Sequence, residues 1–179
     1  MALNLSPLAE NFVGTRLTFR SSHSFDETVA RLRRQTNPDS QPFSQPPKPY
    51  KPYIDMTQAE FVEFISSQRG PSGFMYFHEL EFGSWVNLFD VGGGKRMKKF
   101  IVGNPLIAIN ILRNDERAAL NVPIELLVRE LDNERGVEIV YLKPEPVLVP
   151  DSADRRGEVE KAFLVLDRMT SEMVKNITC

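Results

Sequence analysis

Residues 99–112 read KFIVGNPLIAINIL, and they predict a strand that passes directly into a helix. Gly103 ends the apolar strand pattern. Asn104 is a residue type that caps helix N-termini, and Pro105 is suited to the first helical position. The predicted helix covers residues 105–114. This unit places one strand and one short helix in the centre of the chain.

The chain upstream of this unit begins with a second strand and helix. Residues 13–19 alternate, so Leu17 and Phe19 would share one face of a strand. Ser24 and Glu27 have the spacing of a capping box, which predicts a helix running to about residue 35.

Six prolines fall between residues 38 and 52. Proline fixes φ and removes a backbone donor, so residues 37–53 are predicted to be an extended loop. Thr57 and Glu60 then form a second capping box that opens another helix. We interpret residues 37–70 as a loop-and-helix insertion in one domain that covers residues 1–179.

Further strands and a long final helix are predicted from periodicity. The strands cover residues 74–82, 85–89, 99–102, 123–130 and 137–142, and the helix covers residues 154–176. Strand hairpins mixed with helices indicate an α+β fold with a single, mainly antiparallel sheet and helices packed on one face. The apolar stripes that contain Val29, Ile109 and Phe163 are expected to meet in one core.

Composition excludes several function classes. The net charge of −2 argues against a nucleic-acid partner, and no apolar run approaches the length of a membrane span. One cysteine and two histidines exclude a Cys/His zinc cage and an intramolecular disulfide. We find no metal site, no cofactor motif and no secretory signal, so a cytoplasmic protein is expected.

Five segments resemble the domain-of-unknown-function family 302, and they follow one another in the family's order. Residues 100–105 are similar to the family's strand, Asn-Pro, helix signature, and residues 121–130 and 136–144 are similar to its next two strands. Residues 24–28 and 73–82 resemble its first helix and second strand. Ile124 stands where the family has a cysteine. The resemblance implies a β-α-β(4)-α domain that is often a homodimer, with no settled biochemical role.

The strand at residues 74–82 carries the first candidate site. Strict alternation would place His78 on the face of Tyr76 and Leu80, and Glu79 and Glu81 on the other face with Phe77. Histidine can act as a general base near neutral pH, and paired carboxylates can divide acid and base roles. The alternative is an ordinary strand with one solvated face.

Three other residues complete the candidate set. Asn104 would present helix N-terminal amides to an anion, Arg129 would hold an oxyanion, and Trp85 together with Tyr76 would line an apolar pocket. Plain helix capping and core packing are the alternatives. His78, Glu81 and Arg129 are therefore the catalytic candidates, and Tyr76, Glu79, Trp85 and Asn104 are the substrate-binding candidates.

Two functions remain open from the sequence. The first is a cofactor-free accessory enzyme that binds a small apolar organic acid or a polyketide-like acyl intermediate and performs cyclisation, lactonisation or hydrolysis by acid/base catalysis. The second is a non-catalytic domain that binds a small ligand or, through its proline-rich loop, a protein partner.

Overall fold

The computed structural model describes residues 13–37, 53–132, 135–145 and 153–179. Its strands are β1 Arg16–Ser21, β2 Met75–Glu81, β3 Met97–Gly103, β4 Ile124–Glu130 and β5 Val137–Leu142. Its α-helices are α1 Phe25–Thr36, α2 Gln58–Gln68, α3 Gly83–Val86, α4 Pro105–Leu112 and α5 Ala153–Thr178. The predicted proline-rich loop lies, apart from its two ends, outside the described residues.

The five strands form one sheet in the order β1-β5-β4-β3-β2, and every neighbouring pair is antiparallel. The edge strands are β1 and β2, and β4 lies in the centre. Helices and strands together give the α+β architecture with a single antiparallel sheet that the sequence predicts.

One core lies between the sheet and the helices. Val29 of α1 and Phe163 of α5 belong to the same buried cluster, together with Phe100 and Val102 of β3. Leu17 and Phe19 of β1 pack against this cluster, so the alternation predicted for the first strand is confirmed. Among the described residues, no helix is both long enough and apolar enough to cross a lipid bilayer.

The burial predicted for Ile109 of α4 is wrong. Ile109 is 43% exposed, whereas Ile111 is fully buried in the core. Six of the eight residues of this helix are Leu, Ile or Ala, so apolar residues occur on every face. The sequence pattern of such a helix does not show which of its faces is buried, because a polar face is missing. Packing against the rest of the protein selects the buried face.

The strand predicted at residues 85–89 is also wrong. This segment forms α3 and a 3₁₀ turn, Asn87–Phe89. The side-chain nitrogen of Asn87, Nδ2, donates to the Gly83 carbonyl at 2.6 Å, and its side-chain oxygen accepts from the Gly94 N–H at 3.0 Å. These two bonds fold the β2–β3 connection back on itself, so its aromatic and β-branched residues never extend into a strand.

The two predicted helix caps differ in detail. Ser24 accepts from the Glu27 N–H at 3.2 Å, but the Glu27 carboxylate bonds Arg31 at 2.9 Å. At α2 both bonds of the capping box form, because the Glu60 side chain accepts from the Thr57 N–H at 2.7 Å. Both helices therefore begin within one residue of the position predicted from their caps.

Candidate functional site

A β-bulge in β2 rearranges the first set of candidate residues. Tyr76 pairs with Val102 and His78 pairs with Ile101, so Phe77 is an extra residue without a partner in β3. One extra residue reverses the side-chain alternation on either side of it. Tyr76 therefore lies on the face of Glu79 and not on that of His78, which corrects the predicted arrangement.

The face shared by Tyr76 and Glu79 carries an ion-pair network. Glu79 accepts from Arg33 of α1 at 2.7 Å and from Lys98 of β3 at 3.0 Å. Lys98 also lies 3.5 Å from the carboxylate of Glu81. Together these contacts join α1 to the exposed edge of the sheet.

The electrostatics of this network follow from the same contacts. Burial would raise the pKa of Glu79, but the bonds from Arg33 and Lys98 outweigh it, so the net pKa of Glu79 is lowered. Burial, and then the Glu79 charge, raise the pKa of Tyr76. Glu79 is therefore an ionised, paired carboxylate at neutral pH, which suits a structural role better than proton transfer.

The catalytic candidates are separated in the fold. His78 is exposed and faces away from Glu79 and Glu81, on the same face as Ile101 and Leu80. Glu81 accepts from the Gly83 N–H at 3.0 Å and so supports the turn that follows β2. The structure does not bring His78 and Glu81 together.

Arg129 and Trp85 occupy two further places. The Arg129 Nε donates to Glu138 at 2.9 Å across the β4–β5 pair, so this guanidinium is engaged within the sheet. Trp85 is about half exposed in the β2–β3 connection, where its ring lies 5.6 Å from that of Phe82. In the described part of the chain, no cluster of three or more His, Cys, Asp or Glu residues could hold a metal ion.

A cavity of about 790 Å³ lies between α2, α4 and one end of the sheet. Gln58, Phe61 and Val62 of α2 line one side of it. Most residues of α4 line another side, and nearly all of them are apolar. Phe77, the extra residue of the bulge, closes the end nearest β2. The bulge thus directs an aromatic ring into the cavity wall.

Gly103 makes this wall possible. A Cβ at this position would lie 2.9 Å from a ring carbon of Phe77 and 3.0 Å from the Cβ of Pro123. Real Cβ atoms rarely approach so closely, so any larger residue would displace one of these two side chains. The glycine at the end of β3 therefore leaves room for both Phe77 and Pro123 to pack against the strand end.

Asn104 is the one predicted site residue that lines this cavity. Its side-chain oxygen accepts from the Leu106 N–H at 2.8 Å, and its side-chain nitrogen donates to the Gly73 carbonyl at 2.8 Å. Its backbone carbonyl accepts from the N–H groups of Ile107 and Ala108, each at 3.0 Å. The predicted free amides at this helix start are thus already bonded, and the capping interpretation is correct.

The polar groups of the cavity are few. Among the described residues that line it, Gln58, Asn104 and Arg113 carry polar side chains, and none carries a carboxylate or an imidazole. This composition is typical of ligand pockets, which combine an apolar wall with a small number of placed polar groups.

A second cavity, of about 460 Å³, lies on the opposite side of the sheet. Four of its charged residues form two ion pairs, since Lys99 contacts Glu125 at 3.1 Å and Lys143 contacts Glu145 at 3.2 Å. The larger cavity is therefore the stronger candidate for an apolar ligand.

Sequence reasoning missed most of the larger cavity. The sequence predicts α2 from the Thr57–Glu60 capping box, and it predicts Gly103 as the end of a strand. No signal in the sequence shows that these residues face each other, because they belong to segments separated by about 40 residues. Arg113 is not among the residues considered from the sequence, and Phe77 is considered only as a strand residue on the face of Glu79 and Glu81.

An antiparallel sheet with helices on one face and an apolar cavity at one end defines the class of protein: a small α+β domain with a ligand-sized pocket. The model of the family described as "Domain of unknown function DUF302" matches residues 53–176, and the chain belongs to this family. The match includes α2, whereas β1 and α1 precede it.

Solved structures include a relative of the same fold. The crystal structure of an uncharacterized conserved protein DUF302 from Bacillus stearothermophilus superposes with a TM-score of 0.59 and 12% sequence identity. The similarity covers 90% of this chain and 97% of that chain, and at this identity it shows the fold alone. A search of curated proteins found no match.

Proposed function

We propose that this protein binds a small, mainly apolar compound of the organic-acid or acyl class in the cavity between α2 and α4. The observation that carries the proposal is the cavity itself. Its volume of about 790 Å³ lies within the range of roughly 300–1,000 Å³ that small-molecule sites occupy. Its wall combines the aromatic rings of Phe61 and Phe77 with the aliphatic side chains of α4.

Binding without turnover is the form of this function that the geometry favours. No described residue that lines the cavity could act as a carboxylate or imidazole acid/base catalyst. The cofactor-free cyclase or hydrolase activity predicted from the sequence remains a prediction. His78→Ala and Glu81→Ala assayed on an acyl substrate would test it, and full turnover in both variants would discard these residues as catalysts.

A matched pair of substitutions tests the proposal. Val62 of α2 lines the cavity and is 41% exposed, whereas Val165 of α5 lies outside it and is 45% exposed. Each is replaced by tryptophan, and decanol is titrated into both variants and the unmodified chain by isothermal calorimetry. We expect Val62→Trp to weaken binding about tenfold or more, because the indole occupies ligand volume.

Val165→Trp should bind decanol with the affinity of the unmodified chain. Equal affinities in all three proteins would refute the cavity as the site, provided that the melting temperatures agree. Absence of decanol binding to the unmodified chain would refute the proposed function directly.

The homodimer and the cytoplasmic location predicted from the sequence also remain proposals. The side of the sheet that carries His78, Ile101 and Leu127 faces away from the core cluster and offers a surface for a second copy. Light scattering in solution would support a dimer if the measured mass were twice that of one chain.

A further inference from the structure

We infer that Arg113 anchors the carboxylate of an acidic ligand whose apolar part occupies the α2–α4 cavity. This inference rests on the proposed function and specifies its ligand class: monocarboxylic acids with an aliphatic or aryl tail. It assigns the recognition of charge to a residue that neither the sequence motifs nor the family description indicates.

Arg113 lies at the C-terminal end of α4. It follows directly after α4, whose side chains form the longest apolar wall of the cavity, and it is the only cationic residue among the described lining residues. It is exposed, so its guanidinium retains contact with water. A ligand can therefore bury its tail while its carboxylate stays at the mouth, which avoids the cost of burying a charge.

No carboxylate of the described residues is paired with Arg113. Within the described residues, ion pairs engage Arg33 with Glu79, Arg96 with Asp26 and Glu130, and Arg129 with Glu138, but none engages Arg113. The nearest carboxylate along the chain, Asp115, accepts from the backbone N–H and Nε of Arg117.

The other polar side chains among the described lining residues are poorly suited to bind an anion. The Asn104 side chain is bonded at both of its polar atoms, and the first amides of α4 are bonded to Asn104. Gln58 is neutral. A guanidinium binds a carboxylate through two parallel charge-assisted hydrogen bonds, a geometry that an amide cannot reproduce with equal strength.

The experiment compares two probes of equal chain length, decanoate and decanol, which differ in the charge of the head group. Both are titrated by calorimetry at neutral pH into the unmodified chain, Arg113→Gln, Arg113→Lys and Arg34→Gln. Arg34 is an exposed arginine of α1 that does not line the cavity, so its variant controls for the loss of one positive charge.

We expect the unmodified chain to prefer decanoate over decanol by about tenfold or more, the scale of one charge-assisted contact. Arg113→Gln should reduce this preference to near unity while the affinity for decanol is unchanged. Arg113→Lys should restore part of the preference, since it keeps the charge without the two-pronged geometry. Arg34→Gln should behave like the unmodified chain.

The outcomes separate this inference from the proposed function. If decanol binds but decanoate is not preferred, or if Arg113→Gln keeps the preference, Arg113 is not the anchor and the cavity still binds apolar ligands. If neither probe binds the unmodified chain, the proposed function fails and the inference fails with it.

Discussion

Glu79 of β2 links two other elements of the fold through charged hydrogen bonds. It receives a hydrogen bond from Arg33 on the covering helix and another from Lys98 on the neighbouring strand. Its side chain is 22% exposed, so solvent screens these contacts only in part. The bonds outweigh the effect of burial, and the pKa of Glu79 is lowered below the ordinary value of 4.5.

Glu79→Gln should therefore lower the free energy of unfolding at pH 7 by about 1–2 kcal/mol, because two charge-assisted bonds become weaker. A carboxyl group whose pKa is lowered on folding stabilises the protein above its unfolded pKa, and that benefit is lost as the pH falls through its folded pKa. The difference between the two proteins should consequently be constant near neutral pH and shrink below about pH 4. Urea unfolding of the unmodified chain and of Glu79→Gln at several pH values measures this difference in unfolding free energy.

Glu125→Gln provides the matched control. Glu125 also pairs with a lysine, Lys99, at 3.1 Å, but its side chain is 56% exposed. Such surface pairs contribute about 0.2–1 kcal/mol. A loss in Glu125→Gln as large as that in Glu79→Gln would contradict the role assigned to the Arg33–Glu79–Lys98 network.

At the scale of elements, α2 differs from the other long helices. It buries a single residue, Ile65, whereas α1 buries five. Its start is held by the Thr57–Glu60 capping box, and two of its other apolar side chains, Phe61 and Val62, line the cavity. A helix that buries little core is stabilised largely by its own caps and opens at low free-energy cost.

We predict that the amides of α2 exchange with deuterium faster than those of α1. Thr57→Ala should increase exchange in α2 by a further fivefold or so, since loss of an N-cap costs about 1 kcal/mol. Ser24→Ala, which removes the corresponding cap of α1, should leave exchange in α2 unchanged. The prediction would be contradicted if the amides of α1 and α2 exchanged at the same rate and Thr57→Ala changed both rates equally. That result would show that α2 opens only when the whole protein unfolds.

At the scale of the whole molecule, one core joins all the strands to α1, α4 and α5. Residues from the first helix, such as Leu32, and from the last, such as Phe163 and Ile177, belong to one buried cluster with the central strands. The sheet brings together segments from both halves of the chain, since β1 pairs with β5. Unfolding is therefore expected to be a single cooperative transition.

Phe163→Ala should lower the free energy of unfolding by about 3–5 kcal/mol, the usual cost of emptying an aromatic core site. Leu164→Ala is the control, because Leu164 is the next residue of α5 and is 65% exposed, against 2% for Phe163. It should change stability by about 0.5 kcal/mol or less. Thermal unfolding followed by near- and far-ultraviolet circular dichroism checks both values, and separate transitions by the two probes would contradict a single core.

Local signals in the sequence were sufficient for a large part of the fold. The caps of α1 and α2, the Asn104-Pro105 start of α4 and the strands around residues 124–142 were all predicted, and the fold class with them. Each depends on residues a few positions apart, whose hydrogen bonds and periodicity are set by the backbone itself.

The bulge at Phe77, the turn of α3, the buried side of α4 and the cavity depended on tertiary structure. Phe77 is displaced from the β2 ladder and packs against Gly103, and Ile111 rather than Ile109 enters the core because of what covers α4. Sequence alone therefore determined the fold class and all of the principal strands and helices except the segment of α3, since these follow from local geometry. Packing between distant segments decided which side chains meet, because steric fit and paired charges exist only once those segments are in contact.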